Sequence, residues 1–346
     1  MKLKTIEWGE GRIKLVDQTK LPQSLEYIYI KNIKDLYSAI QKLQVRGAPA
    51  LGAAGALGVY LGIRDFKGKS FSGFRKKLNS VAAYLAASRP TARNLFWGIE
   101  RVCKVTLKSK VISIEQIKRL ILKEALDIIS EDRESCRKIG EYGAGLIKNG
   151  DRILTICNAG ILATIDYGTA LGVIYRAQEK GKKFKVYACE TRPLLQGSRL
   201  TAWELKKKGV DVTIICDNMA AALMKDKKID RVITGADRIA LNGDSANKIG
   251  TYNLAVLSKY HRIPFYIAAP ASTFDLSLQQ GSGIIIEERD SEEVTSLLSE
   301  RAIAPFGAKV FNPAFDVTEN SLITAIITDR GVIKPPYLKN IRKLLC

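Results

Sequence analysis

Between Arg152 and Ala269 short apolar runs alternate with amphipathic ones. The apolar runs are RILTIC (Arg152–Cys157), FKVYAC (Phe184–Cys189), VDVTIIC (Val210–Cys216), RVIT (Arg231–Thr234) and FYIAA (Phe265–Ala269). Helical patterns fill the gaps at Ala163–Lys180, Arg199–Lys208, Met219–Lys225 and Ala246–Tyr260. A parallel crossover needs a helix to return the chain, so this rhythm predicts βαβ units. The strands are apolar throughout rather than strictly alternating, as a sheet covered on both faces requires. The first half reads differently. A β-rich opening, Lys2–Val16 with Gly9 and Gly11 as turn signals, precedes helical patterns at Asn32–Leu43, Pro49–Leu61, Phe74–Ala87, Thr91–Val105 and Ile114–Ile147. The expected fold is α/β: a small, mostly helical N-terminal domain over residues 1–125, then a Rossmann-like doubly wound parallel-sheet domain over 126–346. The boundary falls in the long helical stretch Ile114–Lys148, unmarked by any Pro- or Gly-rich linker.

Composition narrows the class. With 346 residues, 46% hydrophobic and 26% charged, the chain reads as a soluble two-domain protein. Met1–Leu15 has no hydrophobic leader core and no small-residue cleavage site. The most apolar early stretch, Ala48–Ile63, is rich in Gly and Ala and shorter than the roughly 20 residues that span a bilayer. The cysteines are Cys103, Cys136, Cys157, Cys189, Cys216 and Cys346; none forms a C-x-x-C pair, and His261 is the sole histidine, which argues against zinc. Cys157, Cys189 and Cys216 end strand-like runs, where burial and reduction are expected, in keeping with a cytoplasmic protein. The formal charge of +20 draws phosphorylated ligands. Its lysines lie on helical solvent faces such as Lys180–Lys185 and Lys206–Lys208, without aromatic–basic interleaving or a nucleic-acid motif, so a solvated basic surface is expected and no nucleic-acid partner.

In an open parallel sheet, ligands bind beyond the carboxyl ends of the strands. The residues following the five runs are Cys157-Asn158-Ala159-Gly160, Glu190-Thr191-Arg192-Pro193, Asp217-Asn218, Gly235-Ala236-Asp237-Arg238 and Ala269-Pro270. Polar and small residues thus gather at one sheet edge. Each also has a bland explanation: Cys157 as a small core hydrophobe, Asn158 and Gly160 as turn formers, Asp237 as an Asx-turn residue or a surface partner of Arg238. His261 suits a helix C-terminus, where an imidazolium complements the carbonyl end. No dinucleotide fingerprint follows the first of these strands; P-loop and G-x-S-x-G sequences are absent.

Beyond single residues, long segments resemble the methylthioribose-1-phosphate isomerase family. They are VRGAPALGAAGALG (Val45–Gly58), RPTARNLFW (Arg89–Trp97), CNAGILATIDYGTALGVI (Cys157–Ile174), ETRPLLQGSRLTAWEL (Glu190–Leu205), DNMAAALM (Asp217–Met224), GADRIALNGDSANKIGTYNLAVL (Gly235–Leu257), PFYIAAPASTFD (Pro264–Asp275) and IEERD (Ile286–Asp290). The same superfamily holds ribose-1,5-bisphosphate isomerases, 5-deoxyribose-1-phosphate isomerases and regulatory subunits of a translation-initiation exchange factor. The resemblance implies a helical domain followed by a Rossmann-like one, a homodimer, and an aldose–ketose isomerase acting on a small sugar phosphate without metal or organic cofactor. It places the catalytic thiol and carboxylate at Cys157 and Asp237, and substrate contacts at Arg46, Gly47, Ala48, Arg89, Gln196, Asn247 and Lys248. Asn247 and Lys248 are expected at a helix start, where backbone N–H groups favour phosphate; Arg46 and Arg89 offer planar forks for phosphate oxygens. Leu95, Phe96 and Trp97 favour the methylthioribose branch over ribose 1,5-bisphosphate or 5-deoxyribose 1-phosphate. A non-catalytic regulatory subunit is the remaining rival.

Overall fold

The computed structural model describes residues 3–108, 113–297 and 301–345; Met1, Lys2 and Cys346 lie outside the described residues. The chain forms two compact units. One runs to Glu134 and also takes in Ile161–Asp166; the other comprises Ser135–Gly160 and the chain from Tyr167 onward.

The first unit opens with an antiparallel meander of β1 (Ile6–Gly9), β2 (Arg12–Val16) and β3 (Tyr27–Ile30). Helices α1 (Ile33–Gln41), α2 (Ala48–Ile63), α3 (Phe71–Ala86) and α4 (Arg93–Lys104) follow, then the long α5 (Ile114–Ala144), within which the chain passes to the second unit. α2 is apolar on every side and buried without a break from Ala50 to Val59, as a helix without a polar face must be. Its small residues let α4 approach backbone to backbone. A Cβ on Gly98 of α4 would overlap the carbonyl oxygen of Gly52, so only glycine fits that crossing. The inserted segment Ile161–Asp166 is stitched into this unit: Thr5 N–H donates to Ile165 O (2.9 Å), Gln18 Nε2 to Leu162 O (2.8 Å), and Ile165 N–H to Asp132 Oδ2 (3.0 Å).

The second unit is built on the predicted βαβ repeats. In chain order they are β4 (Arg152–Thr155), α6 (Ala170–Glu179), β5 (Lys185–Cys189), α7 (Ala202–Lys207), β6 (Val212–Ile215), α8 (Ala220–Lys225) and β7 (Arg231–Thr234). A β-rich excursion follows, with β8 (Arg238–Ala240) and β9 (Ser245–Lys248), then α9 (Thr251–Tyr260), β10 (Phe265–Ala268) and β11 (Phe274–Asp275). Short α10 (Glu292–Thr295), β12 (Ser296–Leu297) and β13 (Arg301–Ala302) lead to β14 (Phe315–Thr318), β15 (Ala325–Thr328), β16 (Gly331–Ile333) and α11 (Tyr337–Leu345). The main sheet runs β16-β15-β10-β7-β4-β5-β6, parallel except for β16. Its central strands β7, β10 and β15 are buried at all four positions, whereas edge strand β6 exposes Thr213 and Ile214, the pattern expected of a sheet covered on both faces. Arg231 can open a buried strand because its guanidinium meets Asp151 with two contacts, Nε–Oδ2 at 2.7 Å and Nη2–Oδ1 at 2.9 Å.

Several expectations from the sequence are corrected here. The helix expected from Ala163 begins at Ala170, since residues 161–166 belong to the other unit. The helix expected from Ala246 begins at Thr251, and Ala246–Lys248 lie on β9. β9 pairs antiparallel with β8 and β14 in a second sheet, β11-β8-β9-β14. Cys216 is exposed rather than buried, because it follows edge strand β6; Cys189 is buried. From β14 comes Asp316, whose carboxylate accepts the N–H of Gly250 (2.7 Å) and of Tyr252 (3.0 Å) and so caps α9 from outside its own segment. Burial pushes this carboxyl up to about 6 despite those two bonds.

Two outcomes are expected. Gly98→Ala destabilises the protein by about 1–3 kcal/mol in chemical denaturation, while Gly145→Ala, with nothing within 4 Å of its added methyl, leaves the midpoint in place. For Asp316, the folded carboxyl keeps its proton above the ordinary 3.8, up to about 6. Its contribution is therefore intact below 3.8 and is lost as pH rises through that window. Relative to Asp316→Asn, the wild type loses up to roughly 3 kcal/mol of unfolding free energy between pH 4 and pH 6.

Candidate active site

Strand order in the main sheet reverses between β4 and β7: β5 and β6 continue on one side of β4, β10 and β15 on the far side of β7. Right-handed crossovers on either side of such a reversal leave a crevice at the carboxyl ends of the two strands. β4 and β7 pair in parallel, with Ile153 opposite Arg231 and Leu154 opposite Val232. Both therefore deliver their following loops to the same edge, about 4.8 Å apart. Cys157 follows β4 by two residues and Asp237 follows β7 by three. The loops touch: a Cβ on Gly235 would lie 2.9 Å from Ala159 Cβ.

Cys157 is half-buried, unlike Cys136 and Cys189 in the interior, and the core-hydrophobe explanation does not describe it. Burial pushes the Cys189 thiol far up and Cys103 to about 11, which leaves both protonated and inert at neutral pH. The Cys157 backbone has a φ of +63°, and Thr191 (+67°) and Leu195 (+57°) after β5 share the left-handed region. Side chains with a Cβ avoid that region, and such strain gathers where a particular side chain must be displayed.

The strained residues are held by buried polar groups. Cys157 N–H donates to Thr191 Oγ1 (2.8 Å), and Thr201 Oγ1 donates to Cys157 O (2.6 Å). Thr191 Oγ1 donates to Cys189 O (3.0 Å), and the backbone N–H groups of Thr191 and Arg192 donate to the Asp217 carboxylate at 2.8 and 2.7 Å. Behind Thr201, Asn158 Nδ2 donates to Thr201 Oγ1 (3.2 Å) and to Glu204 Oε1 (2.8 Å), while Tyr175 OH donates to Glu204 Oε2 (3.1 Å). Glu204 is fully buried, and a Cβ on Gly160 would overlap its carboxylate. Asn158 is thus a buried anchor and no mere turn former. Thr201, Glu204 and Tyr175 carry no local mark in the sequence, since each is one polar residue within a helical run. Thr191 stands in the loop after β5, but nothing in sequence ties it to Cys157.

The remaining expected residues divide between the units. In the second unit, Asp237 is half-buried and its N–H donates to Ala246 O of β9 (2.9 Å). Gln196 is buried at the start of the turn Gly197–Thr201, and its Oε1 takes no hydrogen bond among the described residues. Asn247 and Lys248 are on strand β9 and not at a helix start. The N–H groups of α9 that a phosphate was expected to meet are instead taken by Asp316. Asn247 Nδ2 donates to Thr234 Oγ1 (2.9 Å) and Thr251 Oγ1 (3.0 Å), tying the end of β7 to the start of α9. Lys248 is buried with Nζ 4.7 Å from the Phe315 ring centroid. In the first unit, Arg46 and Gly47 precede Ala48, which opens α2. Gly47 has a φ of +95°, and a Cβ there would fall on Ala163 Cα, so glycine is required. Half-buried Arg89 lies between α3 and α4. His261 is the C-cap of α9, its N–H bonded to Leu257 O (2.9 Å), a structural role. Among the described residues, no group of three or more His, Cys, Asp or Glu is placed to hold a metal ion, and no helix is long and apolar enough to cross a membrane.

Comparison with known proteins identifies the family. The chain is 54% identical to the 5-deoxyribose 1-phosphate isomerase of Moorella thermoacetica, over 98% of this chain and 97% of that one. It is 55% identical to the methylthioribose-1-phosphate isomerase of Thermotoga maritima, over 100% and 99%. Among solved structures, the 5-methylthioribose 1-phosphate isomerase of Pyrococcus horikoshii superposes with a TM-score of 0.91 at 43% identity, covering 99% of this chain and 95% of that one. A chain described as translation initiation factor eIF-2B, subunit delta, from A. fulgidus superposes with a TM-score of 0.87 at 51% identity, covering 99% of both. Residues 44–335 match the initiation factor 2 subunit family, and this chain belongs to it.

Proposed function

We propose that this protein is an aldose–ketose isomerase that converts 5-methylthioribose 1-phosphate into 5-methylthioribulose 1-phosphate, a step of methionine salvage. The observation that carries the reading is the exit of Cys157 and Asp237 from adjacent parallel strands at the reversal of strand order. The substrate presents a particular difficulty. Phosphate on C1 locks the ring, so no free aldehyde forms. Isomerisation then needs one proton delivered to the ring oxygen as the C1–O bond opens and one proton taken from the C2 hydroxyl as that carbon becomes the ketone, with the C2 hydrogen ending on C1. Asp237 in its acid form supplies the first and Cys157 as thiolate takes the second; the thiol then loses that proton and the Asp237 carboxylate regains one by exchange with solvent, so the protons balance over a turnover. A carboxyl is kept protonated for such work by a desolvated site.

Arg46, Gly47, Ala48, Arg89, Gln196, Asn247 and Lys248 are proposed as substrate contacts. The arginines suit phosphate oxygens, and the open Oε1 of Gln196 suits a sugar hydroxyl. Asn247 also braces Thr234 and Thr251 through its Nδ2. We place the enzyme in the cytoplasm as a homodimer. The second reading is 5-deoxyribose 1-phosphate as substrate, favoured by the Moorella relative's name and matching identity. A regulatory subunit of translation initiation, favoured by the A. fulgidus name, has no use for a strained thiol beside a carboxylate-bearing loop.

Cys157→Ala and Asp237→Asn are each expected to lower kcat/KM for ketose formation by about 10²–10⁴-fold with an unchanged melting temperature; a folded variant with near wild-type turnover removes that residue from the mechanism. Across methylthioribose 1-phosphate, 5-deoxyribose 1-phosphate and ribose 1,5-bisphosphate, kcat/KM is expected to fall in that order, the first two separated by roughly 1–3 kcal/mol. Turnover of none of the three would point to the regulatory reading.

A further inference from the structure

We infer that Thr191 and Thr201 are positioning residues: their hydroxyls grip the two ends of Cys157 and fix the direction of its thiol. The inference rests on the reading of Cys157 as the reacting thiol and goes beyond it by naming what aims the sulfur.

A residue with a Cβ relaxes out of the left-handed region unless its surroundings over-determine it. At Cys157 the two flanking backbone polar groups are each engaged by a different hydroxyl: the N–H by Thr191 and the carbonyl by Thr201. Both hydroxyls are fully buried, and neither is free to turn. Thr191 Oγ1 accepts from Cys157 and must aim its proton at Cys189 O, so its one donor is committed. Thr201 Oγ1 donates to Cys157 O and accepts from Asn158, which is in turn fixed by Glu204. The two threonines come from different places, one from the loop after β5 and one from the last position of the turn before α7. Each is backed by its own carboxylate. Asp217, following β6, fixes the Thr191 backbone, and Glu204 on α7 fixes the Asn158 amide that meets Thr201. A carbonyl group that relaxed from this geometry would leave buried hydroxyls without partners, so the clamp and the strained φ sustain one another. Turning Cys157 back to an ordinary φ moves its Cβ and sulfur from the place the left-handed backbone gives them. A displacement of about 1 Å at a reacting group is enough to lose on the order of 100-fold in rate.

The test compares Thr191→Val and Thr201→Val, which keep shape and remove the hydroxyl, with Thr191→Ser and Thr201→Ser, which keep the hydroxyl. Four quantities are read on the full chain: kcat, KM, melting temperature, and the pH dependence of Cys157 alkylation by iodoacetamide, followed on the Cys157 peptide by mass spectrometry. The expected result is a fall in kcat of roughly 10- to 100-fold for each valine variant with KM changed less than about 3-fold. The Cys157 alkylation profile shifts as well, and the serine variants recover most of both. Wild-type kcat and alkylation in the valine variants overturn the inference. So does a loss of kcat that serine fails to recover, or one that follows melting temperature while the alkylation profile stays put. If a valine variant does not fold, Thr191→Ala or Thr201→Ala takes its place and is read against the serine variant in the same four quantities. Cys157→Ala is run beside them: full turnover there refutes the thiol mechanism itself, and the alkylation profiles still report whether the hydroxyls aim the sulfur.

Discussion

Parallel pairing of β4 with β7 is the constraint from which the site follows. These strands are far apart in sequence, yet their pairing sends both carboxyl ends to one edge, and the reversal of strand order opens the crevice there. Cys157, Asn158, Thr191 and Asp237 all lie within a few residues of that edge. The opposite edge carries structural ion pairs: Arg231 with Asp151, and Arg152 with Asp230 at 2.8 Å. One end of the sheet is thus fastened by charges that satisfy one another, and the other end carries the loops of Cys157 and Asp237.

Polar residues in a buried place need partners for most of their polar atoms. Asn158, Thr191, Thr201 and Glu204 are all buried. Unpaired, each would disfavour folding; paired as they are, they convert that penalty into rigidity. The same logic accounts for Asp316. A carboxylate placed on the exposed N–H groups of α9 satisfies the helix from within the chain, and burial rather than attraction sets its acidity.

The βαβ repeats and the helical first half were legible because their periodicity is local. Arg231–Thr234 is a strand with the bounds its apolar run suggests, and β4, β5 and β10 differ only at their ends. The second sheet was not legible. In Ala246-Asn247-Lys248 two polar residues stand next to each other in a buried strand; its pairing with β14 joins segments far apart in sequence, and the bonds of Asn247 to Thr234 and to nearby Thr251 follow no periodicity that a sequence displays. The loop after β4 misled for a related reason: Ile161–Asp166 is apolar enough to extend a helix, but its backbone bonds go to Thr5, Gln18 and Asp132, well over a hundred residues upstream in the first two cases. At the site itself, the residues after the strands could be picked out by position. Their roles needed a family resemblance, and the hydroxyls around Cys157 became visible only with coordinates.

The course of the chain near Gly160 bears on how the molecule can be taken apart. The polypeptide leaves the sheet-bearing unit there, is sewn among the opening strands and α5 for six residues, and returns at Tyr167. A cut at the crossing within α5 would therefore not yield two whole pieces. The C-terminal fragment would carry a loop stripped of its acceptors and donors immediately after Cys157-Asn158-Ala159-Gly160, and the N-terminal fragment would lack a strip of its own interior. Dissection of this protein by truncation severs the loop after β4 from its moorings, and both units are needed for that loop to keep the neighbours described above.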